Sequence, residues 1–124
     1  MITGIHHATF LTRDLTKARE FYEGVLGLQL AMDRPQMSFD GVWYDIAQNQ
    51  QIHLMLLPDP AAGVHRPAHC GRDRHVALGV NDLSKLKERL EKAGVAFTLS
   101  QSGRNALFCR DPDQNALEFV EAVE

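Results

Sequence analysis

The chain nearly repeats itself. Residues 7–17, His-Ala-Thr-Phe-Leu-Thr-Arg-Asp-Leu-Thr-Lys, return 68 positions later as residues 75–85, His-Val-Ala-Leu-Gly-Val-Asn-Asp-Leu-Ser-Lys. The run Trp43 to Leu54 lies without gaps over Phe108 to Phe119 at an offset of 65, which sets His53 opposite Glu118. A duplicated module carries its equivalent positions to equivalent places about a pseudo-twofold axis. His7, His53, His75 and Glu118, two pairs of equivalent positions, are therefore candidates to converge as metal ligands.

Each half has the same order of local signals: a short apolar run, an aspartate, then helical periodicity. In the first copy Asp14 is the N-cap, Leu15, Ala18, Phe21, Tyr22 and Val25 share a face, and Gly27 gives a left-handed exit, so a helix is expected over about 15–26. In the second copy Asp82 caps, Leu83, Leu86, Leu90 and Ala93 form the stripe, and Gly94 ends it. Extended segments are expected at about 28–32, 42–47 and 51–57, and again at about 95–99, 105–110 and 116–121. Each module thus reads as βαβββ, an α+β architecture. The expected organisation is a single domain over 1–124, with module one at about 3–58, a linker rich in Pro, Gly and charge at about 59–73, and module two at about 74–122.

Alternation along the strands decides which way the candidates face, because residues two apart share one side of a sheet. Val76, Leu78 and Val80 suit the side beneath a helix, which sends His75, Ala77 and Gly79 to the other side. The same register directs His7, and not His6, away from the helix. Leu117 and Phe119 alternate with Glu118, and Ile52 and Leu54 with His53, so both polar side chains leave the helix-packed layer. Glu118 is an isolated carboxylate in the apolar run Ala116 to Val120, a costly burial unless it is paired or metal-bound.

Composition narrows the partners. With 124 residues, 44% hydrophobic and 23% charged, and a formal charge of −3, the chain suits a compact enzyme or binding domain. Its weakly acidic balance offers no broad cationic surface for nucleic acid or for an anionic membrane. No apolar run approaches the ~20 residues that span a bilayer, and the first residues lack a secretory pattern, so a cytoplasmic location is expected. Cys70 and Cys109 are read as free buried thiols rather than a disulfide framework.

Three phrases carry a family resemblance: Ile5-His6-His7-Ala8-Thr9; Asp14 to Tyr22 with Val25-Leu26-Gly27-Leu28; and Asp111-Pro112-Asp113-Gln114-Asn115-Ala116-Leu117-Glu118-Phe119. Through them the whole chain resembles the vicinal-oxygen-chelate superfamily of glyoxalase I, fosfomycin-resistance proteins, extradiol dioxygenases and bleomycin-binding proteins. The resemblance implies paired βαβββ modules forming a curled, pseudo-twofold mixed sheet around a metal. It also implies a ligand set of two histidines and a glutamate, which His7, His75 and Glu118 match. Position 53 departs from glyoxalase I-like members, which carry a carboxylate there. His53 is read either as a fourth ligand or as a residue that touches the ligands or the substrate. Imidazole and carboxylate donors suit one divalent Zn, Ni, Co, Fe or Mn per site.

The lead reading is a metal-dependent lyase or isomerase of glyoxalase type. In it the metal polarises vicinal oxygens of a small-molecule substrate while Glu118, with His53 beside it, serves the catalytic chemistry. An extradiol-type non-haem iron dioxygenase and a non-catalytic small-molecule or antibiotic-binding resistance protein are the alternatives, and fold alone does not choose among them. Arg104, Arg74 and Arg72 are candidate clamps for an anionic substrate group, with Arg104 foremost, and Trp43 and Phe108 are candidate pocket walls. His65 and His69 lie in the linker, where sequence leaves their role open. A homodimer is expected, from the resemblance and because small curled sheets leave edges to cover.

Overall fold

Asp14 and Asp82 act as expected: each side chain accepts from the backbone N–H three residues on, Lys17 at 3.1 Å and Lys85 at 3.0 Å. The computed structural model describes residues 1–122, so the last two residues of the expected 1–124 domain lie outside the described part. The elements are β1 (His7–Thr12), α1 (Leu15–Arg19), β2 (Gln29–Leu30), β3 (Gly41–Ile46), β4 (Gln50–Leu56), β5 (His75–Val80), α2 (Leu83–Lys92), β6 (Phe97–Leu99), β7 (Ala106–Arg110) and β8 (Ala116–Glu121). They form two four-stranded mixed sheets, ordered β1-β4-β3-β2 and β5-β8-β7-β6, and not a closed barrel. In each sheet the outer first strand pairs parallel with the last, and the remaining pairs are antiparallel. The chain divides into two compact units, Met1–Gly63 and Val64–Glu124. Among the described residues no helix is long and apolar enough to cross a membrane.

The first helix differs from expectation. Only Leu15–Arg19 is α-helical, and Glu20–Val25 widens into a π-helix closed by a bond from Leu26 N–H to the Phe21 carbonyl at 2.9 Å. The cause is the adjacent aromatic pair. Phe21 and Tyr22 are both buried, and an α-turn rotates consecutive residues by about 100°, whereas the wider turn lets both rings face the sheet. Tyr22 stacks with Tyr44 of β3 at 5.9 Å, above Ile52 and Leu54. The strand expected over 28–32 shortens to two residues: its ladder with β3 pairs Gln29 and Leu30, and the Ala31 N–H adds one further bond to the Trp43 carbonyl at 2.7 Å. In module two α2 buries Leu83, Leu86 and Leu90 against the side of the sheet that holds Leu107, Leu117 and Phe119. Each such leucine contributes about 1.5–3 kcal/mol.

The linker splits in function as well as in sequence. Its second half is fastened to module two: Arg110 of β7 donates to the Pro67 carbonyl at 2.7 Å and to Asp73 at 2.9 Å, and Arg66 donates to the same Asp73 carboxylate at 2.8 Å. These two arginines hold the Asp73 carboxyl below the usual carboxylate range against the opposing effect of its burial.

Two strand glycines make opposite predictions. A Cβ at Gly41 in β3 would collide with the backbone carbonyl oxygen of Leu54, whereas a Cβ at Gly79 in β5 meets nothing within 4 Å. Gly41→Ala is expected to lower stability by about 1–3 kcal/mol, and Gly79→Ala to leave it unchanged or raise it by about 0.5 kcal/mol. Urea unfolding of the two variants checks this. Equal midpoints would contradict the packing described.

Candidate metal centre

Glu118 is placed by the turn before it. Asp111, 3% exposed, accepts at Oδ1 from the N–H groups of Asp113 and Asn115 at 2.8 and 2.9 Å, and at Oδ2 from the Asn115 side chain at 2.8 Å. Gln114 takes the left-handed φ of 69° that closes the turn. The lock fixes the register of β8, in which Phe108 opposes Glu118 on one side and Ala77 on the other. Glu118 therefore faces away from α2, on the side of His75, Ala77 and Gly79, as the alternation predicts.

There the Glu118 carboxylate, 3% exposed, has two partners. Arg104 Nη2 donates to Oε2 at 2.7 Å, and His75 Nε2 stands 3.2 Å from Oε1. His75 Nδ1 is 2.8 Å from the Asp73 carbonyl oxygen, which can only accept, so Nδ1 carries a proton. In a neutral ring the lone pair of Nε2 then confronts a lone pair of the carboxylate, and only a shared cation, a proton or a metal, makes that arrangement favourable. The spacing suits a metal: two ligand atoms about 2.1 Å from an ion, at tetrahedral to octahedral angles, stand about 3.0–3.4 Å apart. The carbonyl behind Nδ1 is the customary support of a ligating histidine.

Module one holds a different arrangement at the equivalent positions. His53, 7% exposed, lies between two parallel rings: His7 at 4.0 Å and 15°, and Trp43 at 4.0 Å and 3°. Gln51 donates its amide to Asp33 and Asp45, so its carbonyl oxygen accepts from His53 Nε2–H at 2.8 Å. The lone pair of His53 is thereby left on Nδ1. Burial, and after it the neighbouring His7, pushes the His53 pKa down to about 4, so the ring is neutral. His7 is exposed, with Nδ1 shared with His6 Nδ1 at 2.8 Å, which leaves its Nε2 for other partners.

The structure thus brings the four candidates together two by two, His7 with His53 and His75 with Glu118. Among the described residues no group of three or more His, Cys, Asp or Glu side chains gathers at metal-binding distance. Arg104 pairs with the carboxylate while remaining exposed, Trp43 is a half-buried wall, and Arg74 and Arg72 are exposed. Cys70 and Cys109 are free and buried, and burial pushes the Cys109 thiol up to about 12. A cavity of about 360 Å³ in module two is bordered by Cys70, Phe97 and Phe108. Sequence reasoning missed Gln51 and Asp73. Gln51 sits two residues before His53, on the same strand face, which was the available signal.

The Asp111 lock yields a prediction. Asp111→Ala orphans three donors and is expected to cost about 2 kcal/mol or more. It should also lower metal affinity, because Glu118 loses its fixed register. Denaturation and metal titration read the two effects, and unchanged metal affinity would show that the turn does not position Glu118.

Comparison with known proteins places the chain. It is 27% identical over 124 residues to Glyoxylase I 4 of Arabidopsis thaliana, covering 95% of this chain and 70% of that protein. It is 28% identical over 135 residues to MhqA of Bacillus subtilis (strain 168), named as a ring-cleaving dioxygenase, covering 99% of this chain but only 42% of that protein. The fold matches TnmS3, an antibiotic binding protein from Streptomyces sp. CB03234, with a TM-score of 0.74 at 20% identity, over 98% of each chain. The sequence pattern of one family fits residues 4–119, and the chain belongs to that family, the Glyoxalase/Bleomycin resistance protein/Dioxygenase superfamily.

Proposed function

We propose that the chain is a divalent-metal-dependent enzyme of glyoxalase type, a lyase or isomerase that acts in the cytoplasm, as a homodimer, on a small substrate with vicinal oxygens. The observation that carries this reading is the His75–Glu118 pair, a buried carboxylate and an imidazole lone pair set face to face at 3.2 Å. His7 is the third proposed ligand and His53 the fourth, through Nδ1; the sequence repeat supports both assignments. When bound, the metal supplies Lewis-acid polarisation of the substrate's oxygens.

The chain's own residues do the rest. Arg104 engages Oε2 of Glu118, which leaves Oε1 on the His75 side as the ligand atom, and the second lone pair of Oε1 is the one placed to accept and return a substrate proton. The Asp73 carbonyl orients His75. Phe108 packs edge-on against His75, and Trp43 stacks on His53. Ala77 and Gly79, small residues beside Glu118, leave room above the sheet for a substrate.

A second reading draws on one observation. Because Gln51 engages His53 Nε2, a set of His7, His75 and Glu118 alone would be the two-histidine, one-carboxylate triad of a non-haem iron dioxygenase, with positions open for substrate and oxygen. Non-catalytic binding of a small molecule is the third outcome; TnmS3 is described as an antibiotic binding protein.

Protein purified without chelator is expected to carry about one divalent metal per chain, and His75→Ala and Glu118→Ala to lose it. Elemental analysis reads the stoichiometry, and stoichiometric metal in both variants would remove the assignment. Chelator should lower the thermal midpoint, since an ion that binds only the folded state stabilises it. A turnover screen of 2-oxoaldehyde thiol adducts, catechols and fosfomycin-like epoxides then separates the three readings.

Position 53 provides a further prediction. His53→Glu adds a basic oxygen where imidazole has one nitrogen engaged by Gln51, and should raise turnover of the methylglyoxal hemithioacetal. His53→Ala should weaken metal affinity only in part. Wild-type turnover of that substrate at ~10 s⁻¹ or more, slowed by His53→Glu, would show that histidine here does not mark a different reaction.

A further inference from the structure

The fastened half of the linker sets a third imidazole beside the His75–Glu118 pair. His69 precedes a short 3-10 turn, Cys70–Arg72, and its Nδ1 accepts from the Gly71 N–H at 3.0 Å. An imidazole whose Nδ1 accepts carries its ring proton on Nε2. Among the described residues that Nε2–H has no hydrogen-bond partner, and in the half-buried ring it is open to solvent and so to a ligand.

Three contacts fix the ring's place. It meets Phe108 edge-on at 5.2 Å, and His75 meets the same Phe108 edge-on at 5.7 Å, so both imidazoles pack against one aromatic ring. Phe108 opposes Glu118 in the β7–β8 register, which puts His69 against the strand face that carries the proposed ligands. Gly71 leaves little room for a side chain: a Cβ there would stand 3.0 Å from both Cε1 and Nδ1 of His69 and 3.1 Å from Phe108 Cζ, so the His69 ring would have to give way. The seat is held in turn by Arg110, which grips the chain on both sides of His69, at Pro67 and at Asp73. A neutral donor with a fixed tautomer, held by backbone and packing and left without a partner of its own, is suited to a ligand.

We infer that His69 is a substrate-contacting residue, its Nε2–H donating to an anionic or carbonyl oxygen on the part of a small substrate that extends past Phe108 from the chelated end. This deepens the proposed function and rests on its metal-site reading. The substrate class it implies has two oxygen-bearing ends: vicinal oxygens at the metal, and a second acceptor, carboxylate or amide carbonyl, at a separation set by the Phe108 ring that both imidazoles touch.

The test uses Co²⁺-loaded protein and two chelating probes, acetohydroxamate and the monohydroxamate of succinate, which adds a carboxylate beyond the chelating group. Calorimetry should show that His69→Ala weakens the succinate probe about tenfold or more, the loss expected for a hydrogen bond to a charged group. Acetohydroxamate affinity should stay within about twofold, since that probe lacks the second acceptor. His69→Asn keeps an acceptor for the Gly71 N–H but lacks the reach, and should behave as His69→Ala does. His69→Gln, whose amide N–H approximates the lost donor, should recover much of the affinity. Gly71→Ala, which leaves His69 in place but displaces its ring, should reproduce the loss. Equal effects on both probes, or none on either, overturn the proposal. In metal-free protein, long-range ¹H–¹⁵N correlation should find the His69 proton on Nε2, and a proton on Nδ1 would also overturn it. If acetohydroxamate fails to bind the Co²⁺-loaded wild type, the metal-site reading falls and takes the substrate role with it; a selective loss confined to the succinate probe touches His69 alone.

Discussion

A carboxylate buried in an apolar strand is the most demanding group in module two, and its surroundings are arranged to meet that demand. Glu118 alternates with Leu117 and Phe119, which face α2, so its own side chain has one direction left. On that side it takes Arg104, a loop residue whose side chain remains 57% exposed, and His75 from the neighbouring strand. An apolar residue of similar volume at position 118 would be expected to hold the fold together at least as well, because ion pairs out of water rarely exceed their desolvation penalty. The carboxylate is thus better explained by chemistry than by stability, and the Asp111 turn and the carbonyl of Asp73 serve to aim it and its partner.

The two modules share a scaffold and differ in what they place on it. At equivalent ladder positions module one stacks His7, His53 and Trp43 as parallel rings, and module two opposes His75 to Glu118 beside Phe108. Parallel rings have in-plane lone pairs that run side by side, whereas a carboxylate and an edge-on imidazole have lone pairs that meet. At the equivalent register position His53, with Gln51 and Trp43 around it, gives a stack of rings where module two sets a carboxylate against an imidazole.

Much of this was legible in the residues. Period-two alternation predicted that His7, His75, His53 and Glu118 leave the helix-packed layer, and their faces in the ladders agree. The aspartate caps and both four-stranded modules follow from local signals that tertiary packing reinforces. What escaped was set by contact rather than by period. The π-turn arises because Phe21 and Tyr22 both seek the same core. Gln51 gains its role from Asp33 and Asp45, which sequence spacing does not connect to it. Arg104 was legible as a cation near the site, but its pairing with Glu118 depends on the course of the loop before β7. The metal's identity and the substrate leave no mark on periodicity at all.

The parallel pairing of β5 with β8 has a kinetic consequence. The β7–β8 hairpin closes over a five-residue turn already organised by Asp111, and α2 forms from neighbours along the chain. The strands that bear His75 and Glu118 are the first and last of their module, and those two residues lie 43 positions apart. Loop-closure entropy makes such a contact late in folding, after the local elements have formed. The His75–Glu118 pair is then among the last features to assemble, so a chain that presents it has already completed the sheet around it.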